Sequence, residues 1–452
     1  MRIPIVAALL AAACSQAQPK PVPEATREAG GQRVDAGSQA SNEPGGSAIG
    51  SEDAGARRAV NDAADAGQQT AADAGQDVVG GIKQGASEAG RNVGAGAKEA
   101  AQSVAQGASE AGRSVADAGA KAVSAAGTAA ADIAEELQKL PPAPPIADTP
   151  MFLPAVEEPP ENPTTAEKVS LGYQLFFDKR LSKDGSMSCE SCHHPEQAWT
   201  SGKATDPKVG GGPNKRNAPT MENAAYAHSF YWDGRAPTLE AVSAAAWKGQ
   251  LGAEPDAAAA KLNAIAGYRA RFQRAFKEDA TGKNVPMALA AFLRALKTGN
   301  ASWDKFEQGE GDAVSMEARR GYRVFQNARC TLCHVPPLYT DAEFHNVGVG
   351  YDKPEAERDH GRMDATKDAK DDGKFKTPTL RDIAKTAPYF HDGSVGSLSD
   401  AIDFMVKGGM KNPNRDEKLK PNRLSARDRK ALQAFLESLT GAPTYIKAPD
   451  LP

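Results

Sequence analysis

A marked charge of either sign is the first thing this 452-residue chain lacks. Its 54 lysines and arginines against 58 aspartates and glutamates leave a formal charge of −4. That excludes a nucleic-acid binder, which needs a basic surface to replace phosphate counterions. Long apolar runs are missing as well. The N-terminal "MRIPIVAALLAAACSQAQPKP" holds about eleven largely apolar residues, too few to span a bilayer as a stable helix. Cysteine is scarce, with five residues in all. Aromatic residues are nearly absent before Pro150 and reach globular density only after it, so roughly 300 residues remain to build cores.

The short apolar run after Arg2 reads as an export signal. Cys14 follows three alanines, as in a lipoprotein signal, although Ala11 stands where leucine is usual. Lipidated or simply cleaved, the chain is expected outside the cytoplasm, in the periplasm or on the outer face of a bacterial membrane. Stable anchoring through Cys14 needs more than one acyl chain. Residues 15–150 read as a tether. "QGASEAGRNV" at 84–93 returns as "QGASEAGRSV" at 106–115, two eleven-residue periods apart. That period suits a marginal helix, but each interior glycine costs about 1 kcal/mol relative to alanine. Without bulky residues to repay this, disorder or fluctuating helix is expected. "LPPAPPIADTP" (140–150) closes the segment with a stiff spacer.

Beyond Pro150 the pattern is helical, and no run of alternating strands is found. Apolar residues recur at three- and four-residue spacing in 164–178, 257–276, 286–299 and 315–327. Segments 397–409 and 425–441 do likewise, each opening on a serine suited to a helix cap. The expected fold is all-α, with long Gly-, Pro- and Asn-rich loops such as a cofactor-organised fold tolerates.

Once Cys14 is set aside, four cysteines remain, and they fall into "CESCH" (189–193) and "CTLCH" (330–334). Exported chains can pair cysteines as disulfides. The repeated Cys-x-x-Cys-His is instead the attachment signature of c-type haem: two thioethers hold the porphyrin and the histidine becomes the proximal iron ligand. A thioredoxin-like dithiol would want a preceding strand, which neither copy has. A four-cysteine zinc site would want pairs a few tens of residues apart, not about 140. Neither alternative explains the repeated histidine.

Around these motifs lie "KRNAPTMENAAYAHSFYWDGRAPTLEAV" (215–242), "FHNVGVG" (344–350) and "FKTPTLRDIAKTAPYFHDGSVGSLSDAIDFMVKGG" (375–409). Over roughly 150–445 the chain closely resembles the bacterial dihaem cytochrome c peroxidase family, including its MauG-like branch. The resemblance implies two cytochrome c-like domains after the signal (1–14) and tether (15–150). These are a peroxidatic one at 151–310 and an electron-transfer one at 311–452. It places Cys189, Cys192 and His193 at the haem where hydrogen peroxide binds, and Cys330, Cys333 and His334 at the haem that relays electrons. Met405 then matches the sixth ligand of the second iron, where MauG has tyrosine, with Met410 as its rival. Trp232 matches the tryptophan between the haems. Asn217, with the carbonyls of Lys376 and Pro378, matches a calcium site at the domain junction.

The chain also departs from the family. The loop "DPKVGGGPNK" (206–215) has no distal histidine, Val242 stands at the distal glutamine and Gly252 near the distal glutamate, which leaves Glu254 as the candidate acid–base group. His194 reads as a surface or propionate contact, His228, His345, His360 and His391 as structural or exposed, and Trp247 and Trp303 as core. The leading function is reduction of hydrogen peroxide to water with electrons from a small cytochrome c or cupredoxin. The alternatives are MauG-like oxidation of a partner protein and a non-catalytic dihaem electron carrier or sensor. A homodimer is compatible with all three.

Overall fold

The computed structural model describes residues 95–452 except Pro144, Pro443, Thr444 and Ile446. The export signal, Cys14 and tether residues 15–94 lie outside the described residues. The segment that composition marks as disordered or weakly helical runs from Ala95 to Lys139 as one continuous helix, α1. Its C-terminal end is fastened: the Arg274 guanidinium donates to the carbonyls of Leu137, Leu140 and Pro141. Those bonds satisfy carbonyls that a helix end leaves without intrahelical partners. Among the described residues no helix is long and apolar enough to cross a membrane.

The body is helical with minimal strand, in agreement with the all-α expectation. Helices α2 (Ala166–Phe177), α3 (Leu239–Gly249), α4 (Pro255–Asn263), α5 (Ala266–Phe276) and α6 (Asn284–Ala295) build the first half. After α7 (Ser302–Glu307), helices α8 (Met316–Asn327), α9 (Met363–Thr366), α10 (Leu398–Val406) and α11 (Ala426–Glu437) build the second. Ser397 and Ser425 do cap α10 and α11, accepting from the amides of Asp400 and Asp428. The stretch 257–276, read as one periodic segment, is two helices broken at Ala264–Ile265. The Asn263 side chain clasps both backbone groups of Ala280, which pins the end of α4 to a distant turn.

Each half has its own core. Val169, Leu175, Trp199, Leu262, Phe272 and Phe292 belong to the first, and Trp303, Phe325, Tyr339, Ile402 and Phe435 to the second. In both, the first helix crosses the last at a glycine. A Cβ on Gly172 would strike the Ala288 carbonyl and Phe292, and one on Gly321 would strike the Ala431 carbonyl and Phe435. Alanine in a helix normally gains about 1 kcal/mol over glycine. Here Gly321→Ala is expected to reverse that sign and cost about 1–3 kcal/mol through overpacking, read as a lowered denaturant midpoint. A gain in stability would mean that the crossing is loose. A two-residue ribbon, β1 (Phe344–His345) with antiparallel β2 (Phe375–Lys376), completes the second half.

Candidate active site

In the first motif, tight turns lift the chain through Cys189 and Cys192 to His193. Ala198 and Trp199 both take left-handed backbone angles, φ 50 and 59. This turns the Trp199 carbonyl back onto His193 Nδ1 at 2.8 Å. A carbonyl only accepts, so Nδ1 carries the proton and the Nε2 lone pair is left for a metal. The Pro219 carbonyl acts on the same imidazole, while burial holds its pKa below the ordinary value. The second motif repeats this. His334 Nδ1 meets the Tyr339 carbonyl at 2.8 Å, Tyr339 has φ 55, and the Pro378 carbonyl acts on the ring. Thr220 and Thr379, each next to its proline, donate to the carbonyls of Ala198 and Leu338, one residue before Trp199 and Tyr339. Each half thus holds a neutral imidazole from behind with the same tools.

The four cysteines form no disulfide. As free thiols, three of them would be poor redox or metal-binding groups, because burial pushes Cys189 and Cys192 up to about 12 and Cys330 to about 11. The indole N–H of Trp199 is buried without an acceptor, and both carboxylate oxygens of Asp206, a group that acts electrostatically on Cys192 and His193, are buried without a donor. Orphaned polar atoms around a presented Nε2 and two uncommitted sulfurs are what a pocket for a covalently held haem leaves in the bare polypeptide. The residues fit haem c in both halves.

The halves meet at a seam with pseudo-twofold pairing. Asn217 N donates to the His391 carbonyl at 2.7 Å, and Lys376 N to the Trp232 carbonyl at 2.8 Å. The Trp232 indole donates to the Asn217 carbonyl at 3.0 Å. His391 is buried and stacked on Phe375 with centroids 3.6 Å apart, and burial pushes its pKa down to about 4. Arg216 spans the seam, bound to Asp233 at 2.6 Å and to both oxygens of Asp359 at 2.6 and 2.7 Å.

Residues 166–312 match the family model described as di-haem cytochrome c peroxidase. The chain is 38% identical over 310 residues to the methylamine utilization protein MauG of Methylorubrum extorquens, covering 66% of this chain and 85% of that one. It is 36% identical over 320 residues to cytochrome-c peroxidase IdrP1 of Denitromonas iodatirespirans, covering 64% and 85%. A crystal structure of a MauG-like protein associated with microbial copper homeostasis superposes with a TM-score of 0.63 at 32% identity, over 67% of this chain and 98% of that one.

The chain belongs to the di-haem cytochrome c peroxidase family. It is therefore a peroxidase-family oxidoreductase whose family implies two haem c groups and peroxide as substrate. Within that frame, Trp232 is half-buried at the seam, bonded to both flanking segments. Met405 is half-buried on α10 beside the core residues Ile402 and Val406. Met410 is held by its backbone, with its amide on the Val347 carbonyl. If Met405 is the sixth ligand, Met405→His is expected to lower the second haem's potential. The shift should be on the order of 0.1 V or more, within the roughly 0.8 V that axial ligands span. Redox titration of both haem bands measures it, and an unmoved potential moves the ligand to Met410.

The peroxidase's loop 206–215 docks on the end of α3. Val209 N donates to the Gln250 carbonyl at 2.9 Å, and the Val209 side chain packs against Gly252. Lys208 and Lys215 are exposed. Glu254 is also exposed, at the N-cap of α4 without a side-chain cap bond. One turn earlier, Gln250 presents a buried Oε1 that has no partner. The bland readings of the tryptophans hold: Trp247 and Trp303 are buried and bonded to the Leu181 carbonyl and Glu307. His194 pairs with Glu190 at 3.2 Å, and His360 with Asp372 at 2.6 Å. His345 lies between Asp341 and Asp416; the Cys333 sulfur as a bare thiol first, and then the two carboxylates, raise its pKa. Its double carboxylate clamp has no signal in the sequence, because Asp416 is 71 residues away.

Proposed function

We propose that this peroxidase reduces hydrogen peroxide to water at the first site, using electrons from a small cytochrome c or cupredoxin that enter at the second. The observation that carries this reading is the asymmetry of two otherwise matched sites. The first faces a loop with no histidine, methionine or cysteine. The second shows partners an apolar edge: Leu332 and Val335 flank Cys333 and His334 and are 46% and 44% exposed. Glu190, Ser191 and His194 surround the matching edge of the first motif. Small apolar patches suit the brief encounters of electron-transfer partners.

When bound, haem supplies reversible electron transfer at one site and peroxide activation at the other. The chain does the rest. Burial keeps His193 and His334 neutral, and the carbonyls of Trp199 and Tyr339 hold the remaining proton on Nδ1. Trp232, tied to Asn217 and Lys376, gives a covalent and hydrogen-bonded path across the seam. Each peroxide takes up two electrons and two protons to give two waters, so an acid–base group must serve the first site. Glu254 is the carboxylate for that role if the α4 N-terminus turns inward when substrate binds. Asn217 Nδ2 donates to the Lys203 carbonyl, and no described donor reaches its Oδ1. With main-chain oxygens of Lys376 and Pro378 it would supply the oxygen ligands that calcium prefers. Lipidation at Cys14 would hold the enzyme on the outer face of a bacterial membrane.

Steady-state mixing of peroxide with a reduced small cytochrome c tests the reading. Two equivalents of cytochrome should be oxidised for each peroxide consumed. The second reading, peroxide-driven oxidation of a partner protein, is favoured by the 38% identity to MauG. It predicts slow cytochrome oxidation and a covalently altered partner in a peroxide-treated extract.

A further inference from the structure

Two acids meet at the centre of the seam, one from each half. Glu222 lies three residues after Pro219 and Asp382 four after Pro378, the prolines whose carbonyls act on His193 and His334. Glu222 is 6% exposed and Asp382 1%. The Asp382 carboxyl acts on that of Glu222, and Thr298 ties the two segments together by bonding both Asn223, next to Glu222, and the Asp382 side chain. Two facing carboxylates would only accept, so a hydrogen bond between them needs one proton. Asp382 is otherwise well held: Thr298 Oγ1 donates to Oδ2 at 2.8 Å and Gly441 N to Oδ1 at 3.1 Å. Glu222 has no such support, and its Oε2 is buried without a partner.

The tandem repeat shows that the pair is particular to this seam. Thr220-Met-Glu222-Asn223 stands where the second half has Thr379-Leu-Arg381-Asp382. Asn223 and Asp382 share the left-handed turn, φ 59 and 57. Asn223 closes on the chain between the halves, its side chain exchanging hydrogen bonds with both backbone groups of Thr298. Thr298 then reaches on to Asp382. Arg381 has its own carboxylate, Asp304 at 2.8 Å. Among the described residues the other charge acting on the pair is Lys385, 3.7 Å from Asp382 Oδ1. Two carboxylates and one ammonium sum to −1, so a single proton makes the cluster neutral, whereas a divalent cation would leave it at +1.

We propose that Glu222 and Asp382 share one proton and act as a proton-dependent latch, fastening the segment that supports His193 to the segment that supports His334. With the proton present, Glu222 donates across the seam. Release of the proton to solvent leaves two facing carboxylates and one lysine, and the latch loosens. Burial, Asp382 and its hydrogen bond push Glu222 up to about 9, against an ordinary value of 4.5. The sign follows by linkage. Between these values the folded protein holds a proton that the unfolded chain has lost. The latch's stabilisation is therefore complete below pH 4.5, declines as pH rises, and is gone above about 9.

The test uses the mature two-haem protein. Infrared difference spectra across pH 7–10 should show a buried, protonated carboxyl band that titrates near pH 9 in the wild type and is absent from Glu222→Gln. An amide can still donate to Asp382, so Glu222→Gln should keep the latch without its pH dependence. Its melting temperature should gain on the wild type steadily from pH 6 to 9. Asp382→Asn, which installs the residue of the matching position Asn223, should likewise abolish the carboxyl band's titration near pH 9. A wild-type infrared spectrum without that band overturns the proposal, as does a melting difference that stays flat with pH. Metal analysis gives a third outcome: one equivalent of divalent cation in the wild type that is lost in Glu222→Gln would show a cation site and overturn the proton.

Discussion

Replacing Arg216 by alanine is expected to destabilise the folded protein by about 3–5 kcal/mol, the range for breaking a buried ion pair from one side. Arg216 is 12% exposed and binds Asp233 and Asp359, whose side chains are 4% and 18% exposed. Asp233 keeps a second cation in Arg235 at 2.8 Å. Asp359 keeps only the Gly361 amide, so it carries most of the penalty. Arg216→Lys retains charge but cannot reproduce the two-pronged bond to Asp359, and an intermediate loss is expected. The Arg216 guanidinium also holds both aspartates below the usual carboxylate range. Groups with lowered pKa stabilise above their unfolded value, and that contribution disappears as pH falls through the folded one. The deficit of Arg216→Ala should therefore be full at neutral pH and shrink below pH 4. Denaturant unfolding followed in both haem bands measures it. A loss under 1 kcal/mol would mean that the seam does not depend on this clasp.

The local parts of this architecture were legible in the residues. Cys-x-x-Cys-His needs only neighbours to be recognised, and the periodic segments carrying Ser397 and Ser425 became capped helices. What escaped was pairing over long distances. Arg216 and Asp359 are 143 residues apart, and nothing in either neighbourhood marks them as partners. The carbonyls that orient the two histidines are also invisible, since any residue can offer one. What forces them is the left-handed turn at Trp199 and Tyr339, unusual for bulky side chains. One signal was available and unused. Residues 217–242 and 376–401 align as a second, weaker repeat, in which Pro219 matches Pro378 and Trp232 matches His391. Glu222 carried a signal too, as an acid at the repeat position where the second half has Arg381. The helix α1 escaped for a different reason. Composition sets the cost of ordering glycine, but the guanidinium that holds its C-terminal end comes from a helix more than 130 residues later.

Peroxide should react with the fully oxidised protein without any prior reduction of the second haem. A histidine in this loop could cap the first iron, and the site would then open only when that ligand left. Here the loop runs Asp206 to Lys215 with no histidine, methionine or cysteine, and its two lysines are exposed. Val209 is committed to α3 through its amide and to Gly252 through its side chain, so the loop is already docked. A site capped 99% of the time would react about 100-fold more slowly than an open one, because the apparent rate scales with the competent fraction. The expected ratio of rates for pre-reduced and fully oxidised protein is therefore close to one. Spectra of the oxidised protein should show one high-spin and one low-spin haem. Glu254→Gln adds a second measurement: a loss of roughly 10²–10⁴ in oxygen–oxygen cleavage, with both haem spectra intact, would make it the acid–base group. An unchanged rate would leave Glu254 outside the reaction and turn attention to Gln250, at the end of α3, and Asp206, at the start of the docked loop, both with buried oxygens that have no partner. Stopped-flow mixing of oxidised protein with peroxide decides the main point, since two low-spin haems and no reaction would show that the first iron is capped.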